Sequence, residues 1–265
     1  TMKSKLLSGM MLFMVSTGVF AQQHFSTPEQ ATDALAKAIN EQNDKELGNL
    51  LGEDWRTFLP ADGVDPEAVD RFKRDWQVNH HTVIDGDMAW LTVGEYHWQL
   101  PIPVVKRAEG WQFDMQEAKE EILNREVGRN ELAAIEALHA YVDAQESYYA
   151  LTSQYAQKIV SSEGKKDGLY WPVKPGEAPS PLGPAFSPKE PGQGYHGYHF
   201  RILPDSKSGF AMIAWPVSYG ETGVMSFMIN GDDRVWQANL GEASAEEAKA
   251  LAAFNPGDRW QLVAQ

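Results

Sequence analysis

Apolar positions along this chain change period several times, and the changes mark the elements. Ala31, Leu35, Ala38 and Ile39 recur at helical spacing after Thr27-Pro28-Glu29-Gln30. There Thr27 can cap, proline suits the first helical position and Gln30 completes a capping box. Leu47, Leu50 and Leu51 predict a short second helix ending at Gly52, and Asp65-Pro66 opens a third with Val69, Phe72 and Trp76 on one face. The period then drops to two. Thr82-Val83-Ile84, the turn Asp85-Gly86 and Met88 to Val93 predict a hairpin. Trp98 to Val105 predicts a further strand. Pro101 and Pro103 cannot both sit in a central ladder, so it is an edge or a bulged strand. Glu109-Gly110 turns the chain into Trp111-Gln112-Phe113.

Helical patterning returns from Met115 to Glu126, with Gly128 as a break or kink, and a longer helix is predicted from Arg129 to about Gln157. Leu132, Ile135, Leu138, Val142, Gln145 and Tyr149 step by three and four, a continuous seam that must lie against something large. Strands are predicted at Tyr198 to Leu203, Phe210 to Pro216, Val224 to Asn230, Val235 to Asn239 and from Trp260, with a short helix from Ala243 to Ala253. The fold class is α+β. An N-terminal unit, residues 22–115, has helices followed by an antiparallel meander, similar in element order to cystatin-like or NTF2-like architectures. Residues 116–265 form a long helix, a loop and an antiparallel sheet.

Two segments do not fit this scheme. Lys3 and Lys5 precede an apolar run from Leu6 to Phe20, and Ala21 offers a small residue at a cleavage point. The pattern is that of a Sec signal peptide over residues 1–21. Fifteen helical residues span about 22 Å, less than the hydrocarbon core, so a retained anchor is the weaker reading. Export to the periplasm or exterior is expected, with no integral membrane segment after cleavage. The second is 161–194, where seven of the 15 prolines fall between Pro172 and Pro191. Such a stretch forms neither helix nor interior strand. It nevertheless carries Leu169, Tyr170, Trp171, Leu182 and Phe186, too many large apolar groups for a linker, and an ordered loop laid across the surface is expected.

Composition narrows the function classes. The 265 residues are 43% hydrophobic and 23% charged, enough apolar surface for a folded core. Thirty-seven acidic residues against 23 basic ones give a net charge of −14, which disfavours binding to nucleic acid. There is no cysteine, so disulfides, thiolate metal sites and cysteine catalysis are excluded.

The second half resembles the soluble head of type IV pilins and pseudopilins. The resemblance rests on Gly128-Arg-Asn-Glu-Leu-Ala-Ala-Ile opening the long helix, then Gly209-Phe-Ala-Met-Ile-Ala-Trp-Pro and Tyr219-Gly-Glu-Thr-Gly-Val-Met-Ser-Phe-Met-Ile-Asn-Gly-Asp in the meander. A pilin carries an apolar stem directly before its helix. Here Gln116, Glu117, Lys119, Glu120 and Glu121 stand in that place, which argues against a fibre subunit. The mature chain as a whole resembles a family of secreted bacterial proteins known as domain of unknown function 2950. The stretches that carry this are Trp98-Gln-Leu-Pro-Ile-Pro, Gly128-Arg-Asn-Glu, Gly164-Lys-Lys-Asp-Gly-Leu-Tyr-Trp-Pro, Ser180-Pro-Leu-Gly-Pro and Tyr219-Gly-Glu-Thr-Gly. The resemblance implies an exported or envelope location and no particular reaction.

No nucleophile elbow, Walker loop or dinucleotide fingerprint occurs in a fitting context. Gly192-Gln-Gly-Tyr-His-Gly matches a Gly-x-Gly-x-x-Gly pattern but opens a strand rather than a helix. His196 and His199 are three apart, so on a strand they point to opposite faces and cannot share an ion. Neither metal nor cofactor is expected. Trp90, Trp98 and Trp111 read as core of the first unit. Trp171, bracketed by glycine and proline, reads as an accessible loop aromatic.

The expected binding surface is a groove where 164–172 and 194–198 approach the helix start. It comprises Arg129, Asn130, Lys165, Lys166, Asp167, Tyr170, Trp171, Tyr195, Tyr198, Arg201 and Glu221. Lys165, Lys166 and Arg201 make the groove locally basic, suiting an anionic group on an envelope protein, peptide or glycan. Arg129, Asn130 and Glu131 either anchor the proline-rich loop or form a solvated first turn. A non-catalytic binding or assembly factor is the favoured function. The alternative is an envelope glycan or peptide hydrolase using Glu221 or Asp167.

Overall fold

The computed structural model describes residues 21–60, 63–186 and 194–264. The expected leader, apart from Ala21, lies outside them, as do Gly192 and Gln193 of the glycine-rich stretch. Among the described residues the chain is α+β, with two antiparallel sheets, and divides into two compact units, Thr1–Lys119 and Glu120–Gln265.

In the first unit α1 (Pro28–Asn40) starts as its sequence dictates, with the Thr27 hydroxyl accepting from the Gln30 N–H at 3.3 Å. Asn43 caps α2 (Asp44–Leu51) and Asp65 caps α3 (Pro66–Val78). β1 (His80–Asp85) and β2 (Met88–Val93) form a hairpin closed by Gly86-Asp87. Gly86 lies at φ 60, and the turn needs a residue that tolerates positive φ at its first central position. Pro101 and Pro103 divide the next strand into β3 (Trp98–Gln99) and β4 (Val104–Arg107), both paired with β2. β5 (Gly110–Phe113) completes the order β1-β2-β4-β5. Leu91 and Val93 pack with Ala36 of α1 and Phe72 of α3, so these helices cover one sheet face. Trp111 is core, as expected, but Trp98 is 48% exposed and Trp90 half-buried.

α4 (Met115–Thr152) is one continuous helix of 38 residues, about 57 Å long. Gly128, half-buried, does not interrupt it, since a single glycine costs a helix only about 1 kcal/mol. The helix also ends earlier than its pattern predicts, at Ser153, whose φ is 59. The seam is displaced from expectation. Ala134, Ala137, Leu138, Tyr141, Val142, Ala144, Gln145 and Tyr148 are buried, whereas Leu132 and Tyr149 are exposed. Alanine makes the difference, because small residues allow close approach to a sheet.

That sheet is β6 (Tyr198–Leu203), β7 (Ala211–Pro216), β8 (Ser226–Asn230), β9 (Trp236–Ala238) and β10 (Gln261–Leu262), in the order β10-β9-β8-β7-β6. Every residue of β7 and β8 is buried, so both faces are covered. Met212, Ala214, Phe227 and Ile229 meet α4. Ala211, Ile213, Trp215 and Met228 meet α5 (Ser244–Ala250) together with Phe254 and Trp260. Among the described residues no helix is long and apolar enough to cross a membrane.

Candidate functional site

The residues of the expected groove resolve into two clusters and two outliers. The first cluster is the proline-rich strap. Beyond α4, Ala156 is held by Gln145, and residues 158–161 then run beside 168–171. Leu169 N–H donates to Lys158 O at 3.1 Å and Tyr170 N–H to Ile159 O at 2.9 Å. Leu182 N–H reaches Leu169 O at 2.9 Å. Leu169, Trp171 and Leu182 enter the α4 core. Over 158–186 the strap is held in place, and part of it is core rather than surface; its residues 187–193 lie outside the described ones. Trp171 is the correction: it is 7% exposed and not an accessible aromatic. It belongs to the same buried cluster as Leu169 and Leu182, which a reading of single residues could not reveal. Lys166 Nζ sits 5.4 Å from the Trp171 ring centroid, within range of a cation–π contact. Lys165 and Lys166 are exposed and Tyr170 half-buried. The Tyr148 hydroxyl donates to Lys166 O at 3.3 Å and ties this stretch to α4.

Asp167 organises the strap from within. Its carboxylate accepts from the Ser162 N–H at 2.7 Å, the Ser162 hydroxyl at 2.9 Å and Lys158 Nζ at 3.1 Å. The Ser162 N–H first, and then Lys158, lower its pKa to about 2. Gly168 follows because a Cβ there would lie 2.7 Å from Ser161 N.

The second cluster is an interlock of loops at the α4 surface. Tyr195-His196-Gly197-Tyr198 is a two-residue hairpin turn with φ 46 at His196 and 75 at Gly197, closed by mutual backbone bonds of 2.8 and 3.0 Å. A Cβ on Gly197 would collide with Asn130 Nδ2 and with Thr222. Asn130 Nδ2 donates to Thr222 O at 2.9 Å. Glu131 Oε1 accepts from Val224 N–H at 3.1 Å and Met225 N–H at 3.0 Å. The Tyr198 hydroxyl donates to Met225 O at 2.7 Å, and a Cβ on Gly223 would overlap the Tyr198 ring. Burial, and then the Glu131 carboxylate, push the Tyr198 phenol pKa well up. Asn130 and Glu131 thus anchor the 219–225 loop rather than the proline-rich one. Glu221 accepts from the Ser218 hydroxyl at 3.0 Å within that loop. Tyr195 packs its ring against Phe186 and Phe200.

Arg129 and Arg201 stand apart. Arg129 pairs with Glu126 on its own helix at 2.7 Å. Arg201 donates to Ala248 O at 2.6 Å and Leu251 O at 2.7 Å, closing the end of α5. Strand alternation explains this. Tyr198, Phe200 and Ile202 face α4, so Arg201 faces the opposite layer and cannot share a basic patch with Lys165 and Lys166. His199 shares the Arg201 face, its ring centroid 5.5 Å from that of Trp215. Burial, and then Lys249, lower the His199 pKa. Among the described residues no group of three or more histidine or acidic side chains is placed to hold a metal ion. Residues that the sequence left unassigned prove central: Lys158, Ser162 and Thr222 fasten loops, and Gln145, read as a seam residue, fastens Ala156.

These features define a two-unit α+β protein in which glycine–aromatic motifs lock two loops onto one long helix. The chain belongs to the protein family of unknown function DUF2950, whose model matches residues 22–208 and 204–263. No curated protein and no solved structure matches it.

Proposed function

We propose that this chain is an exported cell-envelope protein that acts by binding, as a non-catalytic binding or assembly factor, and that the outer side of the strap is its contact surface. The observation that carries this reading is the environment of Asp167. Its carboxylate, 36% exposed, accepts the three bonds that hold the strap and stays ionised down to about pH 2, so it cannot supply a proton near neutrality. Glu221 is an exposed turn acid bonded to Ser218. The hydrolase reading thereby loses Asp167 as a proton donor, leaving it only the role of a base, and the strap exposes Lys165 and Lys166 to a partner.

The pilin-like element order supports the same reading: a long helix laid on an antiparallel meander, with charged residues where a polymerising stem would stand. The N-terminal leader pattern supports export. The partner is an envelope protein, peptide or glycan with an anionic group. The test is cosedimentation of purified protein with an isolated envelope fraction. A Lys165→Glu/Lys166→Glu variant with an unchanged melting temperature should lose most of the bound fraction. Equal retention by the variant would overturn the surface. Cell fractionation with N-terminal sequencing tests export, and a protein retained in the cytoplasm with its first 21 residues intact would overturn that part.

A further inference from the structure

We propose that the free edge of β1 is a self-pairing interface, through which two copies of this chain join antiparallel about a two-fold axis at Val83. Among the described residues β1 ends its sheet, and five of its six residues are exposed. Val83 is 44% and Ile84 50% exposed. The sequence His80-His-Thr-Val-Ile-Asp85 is rich in β-branched residues and holds neither lysine nor proline, and its pairing with β2 is unbroken from His80 to Asp85. Of the devices that protect sheet edges, this strand lacks lysine, proline and a bulge, and its one acid, Asp85, stands at its end. The opposite edge of the same sheet differs. There Phe25 exchanges backbone bonds of 2.8 and 2.7 Å with Trp111 of β5.

The hairpin decides which groups point outward. A two-residue loop is closed by a hydrogen-bonded pair, here Asp85 with Met88. By alternation, His81 and Val83 also bond to β2, whereas Thr82 and Ile84 direct N–H and C=O to the free edge. A two-fold axis at Val83 places Thr82 opposite Ile84 of the second copy, and Ile84 opposite its Thr82. Those two pairs use the outward groups, giving about four main-chain hydrogen bonds. The same register sets His81 opposite Asp85 twice, and the two Val83 side chains meet at the axis. Shifting the axis to Thr82 also satisfies the backbone, but sets His81 opposite Val83 and leaves Asp85 without a facing imidazole. Donor–acceptor complementarity between the His81 imidazole and the Asp85 carboxylate therefore selects Val83, and the occupant is a second copy because the strand is complementary to itself.

The lack of any cysteine makes the test direct. In the proposed register a Val83→Cys pair meets at a non-hydrogen-bonded position with Cα atoms about 4.5 Å apart, within disulfide range. An Ile84→Cys pair is displaced along the strands to about 8 Å, beyond that range. On mild oxidation Val83→Cys should form a covalent dimer and Ile84→Cys should not. Sedimentation velocity of the native chain should show a concentration-dependent dimer, and Val83→Lys, which melts at the native temperature, should weaken it at least tenfold. The proposal is overturned by a native chain that stays monomeric at all concentrations, by equal crosslinking of the two cysteine variants, or by a dimer that Val83→Lys leaves intact.

Discussion

Gln145 and Ala156 grip each other at both ends. The Gln145 amide donates to Ala156 O at 2.9 Å, and Ala156 N–H donates to Gln145 Oε1 at 2.8 Å. Gln145 is completely buried and Ala156 is 2% exposed, so the side chain acts as a piece of neighbouring strand for a peptide group that would otherwise be unpaired. Gln145→Leu keeps the volume and removes both bonds. With two buried main-chain groups stranded at about 1–3 kcal/mol each, it should destabilise the chain by about 2–6 kcal/mol in urea unfolding. Gln145→Glu should be worse at neutral pH, since a buried carboxylate would face the Ala156 carbonyl.

The overlap between a Cβ on Gly223 and the Tyr198 ring sets up a second test. Tyr198→Phe loses only the bond to Met225 O and should cost about 1 kcal/mol. Gly223→Ala forces the ring to move and should cost about 1–3 kcal/mol. The double variant should cost less than the sum, because the hydroxyl no longer has to reach Met225. Denaturant melts of the three proteins measure the coupling.

Asp167 makes the strap pH-dependent in a defined direction. Its pKa in the folded chain is lowered to about 2 from an ordinary 3.8. Its stabilising effect is therefore complete above the ordinary carboxylate range and is lost as pH falls from about 4 toward 2. The stability difference between the native chain and Asp167→Asn should shrink over that interval and be constant above pH 5. Carboxyl NMR should place the Asp167 titration near the lower end.

Trp171 and Lys166 should separate packing from recognition. Trp171→Ala empties a buried site and should cost about 3–5 kcal/mol. Lys166→Glu changes an exposed residue and should leave stability within about 0.5 kcal/mol. Thermal melts distinguish them, and any loss of envelope binding counts toward the proposed surface only in the lysine variant.

Arg201 should matter locally. Arg201→Met removes the donors that close α5 on Ala248 O and Leu251 O. Hydrogen exchange measured by mass spectrometry should speed up in 244–251 and remain unchanged in 134–148 of α4.

Much of this architecture is legible in the sequence because it follows from local periodicity. The Thr27-Pro28 start, the Gly86 turn, the proline-divided strand after Trp98 and the five C-terminal strands all express backbone rules that act within a few residues. Gly128 misleads because one glycine cannot outweigh the propensity of its neighbours over 38 residues. Leu132 and Tyr149 mislead because the helix rotates to bring Ala134 and Ala137 against the sheet. The candidate site is less legible. Arg201 looks free until strand alternation places it beneath α5. Trp171 looks exposed until it is found in one buried cluster with Leu169 and Leu182. Asn130 and Glu131 have partners about 92 residues away in the chain, a separation that no spacing rule encodes.

Between Trp171 and Leu182 the chain leaves the core and returns to almost the same point, since Leu182 bonds to Leu169. The stretch from Pro172 to Pro179 is exposed along its whole length. Closing such an excursion costs entropy that grows only logarithmically with its length. A peptide tag or a fluorescent reporter spliced in near Gly176 would ride on this lobe, offering a labelling position that leaves the helix, the sheet and the lysine pair untouched.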